Sequence, residues 1–411
     1  MRQIRRRKIT ADMRTKAPTH AARQRPDASK ALHWLRIEGG LKSMLAWLPV
    51  LLASIACTCA QAGAVPARYM FDRAPAWVDA IDAAAIPQSD IATGRAVRRV
   101  LKDVQVNVAS GTSTTVYTHM ASVPVDASGI ADAAHISIQF NPHYQSLTLH
   151  DIAIVRDGVR MRKVDRRRIK VFQNEPDRTR RMYDGTVSLC VQLDDVRVND
   201  LVEYAYSVKG TNPVLGTPYS AWFALAFDHP VERIEIRLRA PASRPFHYKL
   251  FQTSLEPVRS QHGDIRELRW TVQHAAPATI EDGLPADYNP YPRVQVSDYD
   301  TWRDVQAWAA PLYRVRGALS PAIDKLVMHW QRNTRGKEAL AATALDFVQQ
   351  EIRYLGIETG ARSHRPTHPN QVFRQRFGDC KDKSQLLTAM LRRAGIRAYP
   401  ALVSRASGKA V

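Results

Sequence analysis

From Val97 to Val272 this chain of 411 residues repeats one pattern: apolar residues at alternate positions, interrupted by turn signals. Alternation puts successive side chains on opposite faces, so it specifies strands with one dry and one wet face. Ile136, Ile138 and Phe140 alternate with Ser137 and Gln139. Leu147 to Val155 leads through Arg156-Asp157-Gly158 into Val159-Arg160-Met161, a predicted hairpin. Val187, Leu189, Val191 and Leu193 alternate with Ser188, Cys190 and Gln192, and Leu201 to Val208 and Trp222 to Phe227 continue the texture. Ile234, Ile236 and Leu238 alternate with Arg233, Glu235 and Arg237, before Leu268, Trp270 and Val272 close the series. Strands of this kind build an antiparallel β-sandwich. We place this β-rich domain at residues 63–290, with helical character near Ala76 to Ala85 at its start, and find no repeat of fixed period.

Residues 1–62 differ. They carry 12 Lys+Arg against 3 Asp+Glu, whereas the remainder carries 47 against 36. A basic, polar stretch with Arg5-Arg6-Arg7-Lys8 precedes the apolar run Met44-Leu45-Ala46-Trp47-Leu48-Pro49-Val50-Leu51-Leu52, and Ala60-Gln61-Ala62 follows. Basic flank, short apolar core and small-x-small residues form a secretory signal pattern. An uncleaved anchor tethering the chain to the inner membrane is the other reading, although the run is shorter than the roughly 20 residues of a spanning helix. The long leader also fits a start codon assigned upstream of the true one, near Met44. The expected compartment is the periplasm or beyond. Of the four cysteines, Cys57 and Cys59 fall in the apolar leader, which leaves Cys190 and Cys380. Two cysteines in different predicted domains make no disulfide framework.

Pro285, Asn289, Pro290 and Pro292 mark a linker. Beyond it the period changes to helical, and we place a second, α+β domain at 296–411. Trp302, Val305 and Trp308 share one face; further helices are predicted from Pro321 to Arg335 and from Lys337 to Tyr354. Arg376-Phe377-Gly378-Asp379-Cys380-Lys381-Asp382-Lys383-Ser384 then leads into a helix over Gln385 to Arg393, and Gly395 ends it before a predicted strand, Ile396 to Val403. Cys380 therefore sits where a loop becomes a helix. The unpaired N–H groups and positive dipole end of a first turn favour a thiolate, the form that attacks carbonyl carbon. Charged flanks distinguish Cys380 from an ordinary buried cysteine, whereas Cys190, inside a strand, reads as structural.

The segment Gly378 to Ser384, the apolar helix and the Ala394-Gly395-Ile396 turn resemble the nucleophile segment of bacterial transglutaminase-like proteins. Phe347 to Tyr354, Arg365-Pro366 and Val372-Phe373 extend the resemblance over about residues 300–404. It implies a papain-like cysteine-peptidase fold in which a helix-borne Cys attacks an amide, a later His acts as base and an Asp orients that His. Cys380 is the residue that lands on a catalytic position. Asp379 and Asp382 are implied either as support or as N-cap and first-turn residues. Lys381 and Lys383 recur in that motif or form a solvated helix face; Tyr354, Arg365 and Pro366 would line the cleft. The phrase Leu193-Asp194-Asp195-Val196-Arg197-Val198-Asn199-Asp200-Leu201-Val202-Glu203-Tyr204 resembles a segment of the β-rich exported domain of unknown function often found ahead of that core. Asn199 stands where Gly is usual, and both tolerate a left-handed turn.

All 13 histidines precede Cys380, the last being His368, and no carboxylate follows Asp382. Thiol acyl transfer needs a base. We therefore expect a transglutaminase core incomplete at its C-terminus: a fragment, a frameshifted gene or a premature stop. Completed, it would cross-link, deamidate or cleave glutamine or peptide amides; as it stands it is expected to be inactive. No cofactor or metal is expected, because Pro366 and Pro369 prevent His364 and His368 from sharing a helix face. The expected partner is a protein or peptide substrate, not nucleic acid, and the sequence sets no oligomeric state. The rival reading is a non-catalytic periplasmic interaction protein that retains the Cys domain as a relic; another is a basic binder of anionic envelope polymer.

Overall fold

Leu201–Lys209 is the strand from which the large sheet grows in both directions. The computed structural model describes residues 69–88, 95–108, 113–173, 181–279, 283–284 and 288–403. The leader with its apolar run, Cys57, Cys59, Pro285 and the last eight residues lie outside the described residues. The strands are β1 (Tyr69–Phe71), β2 (Val97–Val108), β3 (Thr114–Pro124), β4 (His135–Phe140), β5 (Ser146–Arg156), β6 (Val159–Arg162), β7 (Ile169–Gln173), β8 (Met182–Tyr183), β9 (Val187–Gln192), β10 (Leu201–Lys209), β11 (Ser220–Ala224), β12 (Val231–Pro241), β13 (His247–Phe251), β14 (Val258–His262), β15 (Ile265–Ala275) and β16 (Arg293–Ser297), followed by the short β17 (Arg353–Tyr354), β18 (Gly356–Ile357) and β19 (Phe377–Gly378).

Nine strands form the main sheet in the order β1-β5-β10-β3-β2-β12-β15-β14, with β6 added on β5. Most pairs are antiparallel, as alternation implies; β1–β5 and β2–β12 are parallel. One face of this sheet is apolar. At one end Leu147, Leu149, Ile152 and Ile154 of β5 pack on the three-stranded sheet β4-β9-β7 and the short helix α1 (Ile130–Ala134). At the other, Ile234, Ile236 and Leu238 of β12 and Trp270 of β15 pack on β11-β16-β13. Each buried aliphatic side chain contributes about 1.5–3 kcal/mol, which makes these two layers the main stabilising element. Asn199 has φ 68°, the left-handed turn expected of it before β10.

The second half contains α2 (Trp302–Ala309), α3 (Pro321–Asn333), α4 (Lys337–Glu351), α5 (Pro369–Gln375) and α6 (Cys380–Arg393). Ile323, Val327, Leu340, Ala344, Val348, Val372, Leu386 and Met390 form their common core.

Several expectations change. Ala76 to Ala85 is not a helix: it contains one 3₁₀ turn, Ala83–Ala85, capped by Asp82. Trp77 and Asp79 are instead held to the main sheet by Arg237 and Gln105. The helix expected to reach Tyr354 stops at Glu351, because Arg353 and Tyr354 pair in parallel with Phe377 and Gly378. Residues 396–403 form no strand; among the described residues no neighbouring strand supplies ladder bonds, and Tyr399 and Val403 are exposed. β16 lies in what reads as the exit of a Pro-rich linker, yet it pairs with both β11 and β13.

Candidate active site

The start of α6 is fixed by its N-cap. Asp379 is extended, φ −86° and ψ −171°, and its Oδ1 accepts from the amides of Lys381 (3.0 Å) and Asp382 (3.2 Å). Asp382 replies through Oδ2, which accepts from the Asp379 amide at 3.4 Å, completing a reciprocal capping box. Its Oδ1 accepts from the Thr367 amide at 2.6 Å, tying the segment before α5 to the same turn. Cys380 is the first residue of the helix and is exposed, so its sulfur faces solvent at the positive end of the dipole.

Directly behind it lies a buried ionic cluster. Lys381 Nζ donates to Glu358 Oε1 at 3.1 Å and to Asp379 Oδ2. Burial pulls the Lys381 ammonium down, but the hydrogen bond and charge of Asp379, with Glu358, outweigh it and hold its pKa above the usual value. Burial raises the Glu358 carboxyl, with Lys381 pulling the other way. Burial likewise raises Asp382, against the Thr367 amide. Lys383 Nζ donates to the Ile352 carbonyl at 2.7 Å, and Gln385 Nε2 to that of Tyr313 at 2.6 Å. The four charged neighbours of Cys380 therefore build the turn that presents the sulfur; none is a loose surface charge.

The β-rich domain reaches this cluster. β18 pairs in parallel with β8, and the Glu358 amide donates to the Tyr183 carbonyl at 2.7 Å. The Tyr354 hydroxyl contacts Met182 Sδ at 3.8 Å, so Tyr354 meets the β-rich domain. Asn212 Nδ2 donates to the Gly360 carbonyl and to Ser363 Oγ, both at 2.9 Å. Arg365 and Pro366 line a cavity of about 390 Å³ together with Gln385 and Thr367. Glu358, Thr367, Tyr183 and Asn212 were missed in the sequence: they meet the Cys380 turn through tertiary pairing and have no spacing of their own.

His364 and His368 are engaged elsewhere. His364 Nδ1 lies 2.8 Å from Ser363 Oγ, with its ring edge-on to Trp308 at 5.4 Å, and His368 caps α5. Burial, then the charge of Lys381, holds His364 below the usual imidazole pKa. Among the described residues no hydrogen bond joins a histidine to Cys380. The turn can thus present a nucleophile, and no described histidine is hydrogen-bonded to it.

Comparison with known proteins agrees with this architecture. Residues 110–279 match a domain of unknown function for which a structure has been solved, DUF3857, and residues 326–405 match the transglutaminase-like superfamily. A crystal structure described as a "putative protease" from Parabacteroides distasonis aligns over 74% of this chain with TM-score 0.63 and 15% identity, a likeness of fold. This chain spans 59% of that protein's length. An M1 zinc metallopeptidase from Deinococcus radiodurans, at 10% identity, covers 49% of this chain and 42% of its own, with TM-score 0.27, too loose to argue from. No curated protein matches the chain.

Proposed function

We propose, from its matches to the transglutaminase-like superfamily and to a DUF3857 domain ahead of that core, that this chain belongs to thiol acyl-transfer chemistry, with Cys380 as nucleophile. The observation that carries the reading is the exposed sulfur at the head of α6, on a turn fixed by the Asp379–Asp382 capping box. Attack by a Cys380 thiolate on a glutamine or peptide amide would form a thioester and expel ammonia or an amine, which takes a proton from a general acid. Water or a second amine would then release the acyl group, giving deamidation, cleavage or cross-linking. Asp379, Lys381 and Asp382 act as positioning residues. Because no hydrogen bond joins a described histidine to the sulfur, acylation by activated esters is the step we expect to read most readily. Incubation with p-nitrophenyl acetate followed by intact-mass analysis tests this: one acetyl group should appear and should vanish in Cys380→Ala. Acetylation at the same level in that variant would remove Cys380 from the role.

The ion pairs that tie Asp379, Lys381 and Glu358 together support a second reading, a non-catalytic interaction protein that keeps the cysteine turn as structure. An unreactive Cys380 in the same assay favours it. We further infer export to the periplasm, with a membrane tether if the apolar run is retained; the pattern over residues 36–62 supports this. Fractionation of cells that express the full chain checks it, and a wholly cytoplasmic product would contradict it.

A further inference from the structure

The other face of the main sheet carries a second cluster, which acyl transfer does not use. Asp151 of β5, Ala205 of β10, His119 of β3, Asp103 of β2 and Glu235 of β12 are successive register partners, a row across five strands. Alternation along β5 slips by one residue at the bulge opposite Ala205–Tyr206. Leu149 and Ile152 stay in the apolar core, so both His150 and Asp151 turn to the polar side, a common use of bulges at binding sites. A cavity of about 450 Å³ lies over the Asp151, Ala205 and His119 end of this row, walled on its apolar side by Ala80 and Ile81.

Its polar groups are arranged but incompletely used. His119 Nε2 lies 3.0 Å from the Glu203 carboxylate. A carboxylate only accepts, so the imidazole donates there and its Nδ1 is left as an acceptor. That Nδ1 has no hydrogen-bond partner among the described residues. Tyr117 is 5% exposed and its ring stacks on His150 at 5.8 Å, yet its hydroxyl also has no partner among the described residues. The hydroxyl opens to the cavity rather than being sealed in the core, so it can donate to a ligand held there. At the rim Arg160 is held by Asp151 and Glu203, and Arg162 by Asp151, while the Arg73 guanidinium has no side-chain partner among the described residues. Three guanidiniums against two carboxylates leave the mouth positive.

We propose that this cavity is a binding site for a small molecule carrying a carboxylate beside an N–H donor, the chemistry of a peptide C-terminus. Arg73 and the Tyr117 hydroxyl donate to the carboxylate, and His119 Nδ1 accepts the N–H. The proposal does not depend on Cys380 and is read by binding alone. Calorimetric titration of the full chain with N-acetyl-alanyl-alanine, as free acid and as C-terminal amide, tests it. The acid should bind, and the amide should bind at least about tenfold more weakly. Tyr117→Phe, which keeps the ring stacked on His150, and Arg73→Ala should each weaken the acid by about tenfold while circular dichroism stays native. Equal affinity for acid and amide, unchanged affinity in both variants, or no binding of the acid up to about 10 mM would overturn the assignment.

Discussion

A Cβ added to Gly378 would lie 2.6 Å from the Cβ of Asp382. No side chain other than hydrogen fits there, because Asp382 must fold back against the chain to reach both the Asp379 and the Thr367 amides. Gly378→Ala should therefore push Asp382 out of the capping box and loosen the turn that carries Cys380. Loss of a cap and forced displacement of a buried side chain together should cost about 2–4 kcal/mol. Urea unfolding measures the cost, and iodoacetamide labelling at Cys380 should change in rate alongside it. A variant with wild-type stability would mean that Asp382 can move freely.

Lys381 neutralises two carboxylates that would otherwise face each other out of water. Its side chain is 7% exposed and that of Asp379 2%. Lys381→Met keeps the volume and removes the charge, leaving Asp379 and Glu358 uncompensated; we expect about 3–5 kcal/mol of destabilisation. Adding Glu358→Gln should restore part of it, because one of the two stranded charges is then gone. Additive losses in the double variant would show that the three groups are not coupled.

Asp103 is fully buried, and burial, opposed by its hydrogen bond from Gln105, raises its carboxyl to about 7 from 3.8. In that window the folded chain holds a proton that the unfolded chain has released, so stability falls as pH rises through it. Asp103→Asn cannot lose the proton. At about pH 8 the variant should be more stable than the wild type by about 2–4 kcal/mol, and the gap should close towards pH 4. Thermal unfolding at the two pH values reads this; a gap that widens on acidification would contradict the assigned direction.

The parts legible in the sequence are those in which one face of an element speaks for itself. Ile136, Ile138 and Phe140 alternate along one strand, and β4 forms where they fall. Asp379 three residues before Asp382 reads as a cap, and the capping box is there. The illegible parts depend on partners. Residues 396–403 have strand-like composition but no neighbouring strand among the described residues, whereas Arg293–Ser297 is strand because β11 and β13 flank it. Pairs of two residues, such as β8 with β18, are too short to carry a period. Asp103 and His119 face each other across the β2–β3 pair and Glu203 comes from β10, far along the chain; only strand register makes them neighbours.

Asn212 ties the β-rich domain to the cysteine domain, and its loss should be felt on both sides. Its Nδ2 donates to the Gly360 carbonyl and Ser363 Oγ at 2.9 Å, while its Oδ1 accepts from the Val214 amide at 3.2 Å. It is 7% exposed, so Asn212→Ala leaves the Val214 amide buried without its acceptor and cuts the bond to the loop. Trp308 Nε1 still donates to the Val214 carbonyl at 2.9 Å, which keeps the two halves in contact and makes local loosening the expected outcome. The cost should be about 1–3 kcal/mol, concentrated in hydrogen exchange of residues 360–365 and 213–216 rather than in the large sheet. Because Glu358 lies just before that loop and holds Lys381, alkylation of Cys380 should change in the same variant. Exchange confined to wild-type levels in both segments would show that the docking does not depend on Asn212.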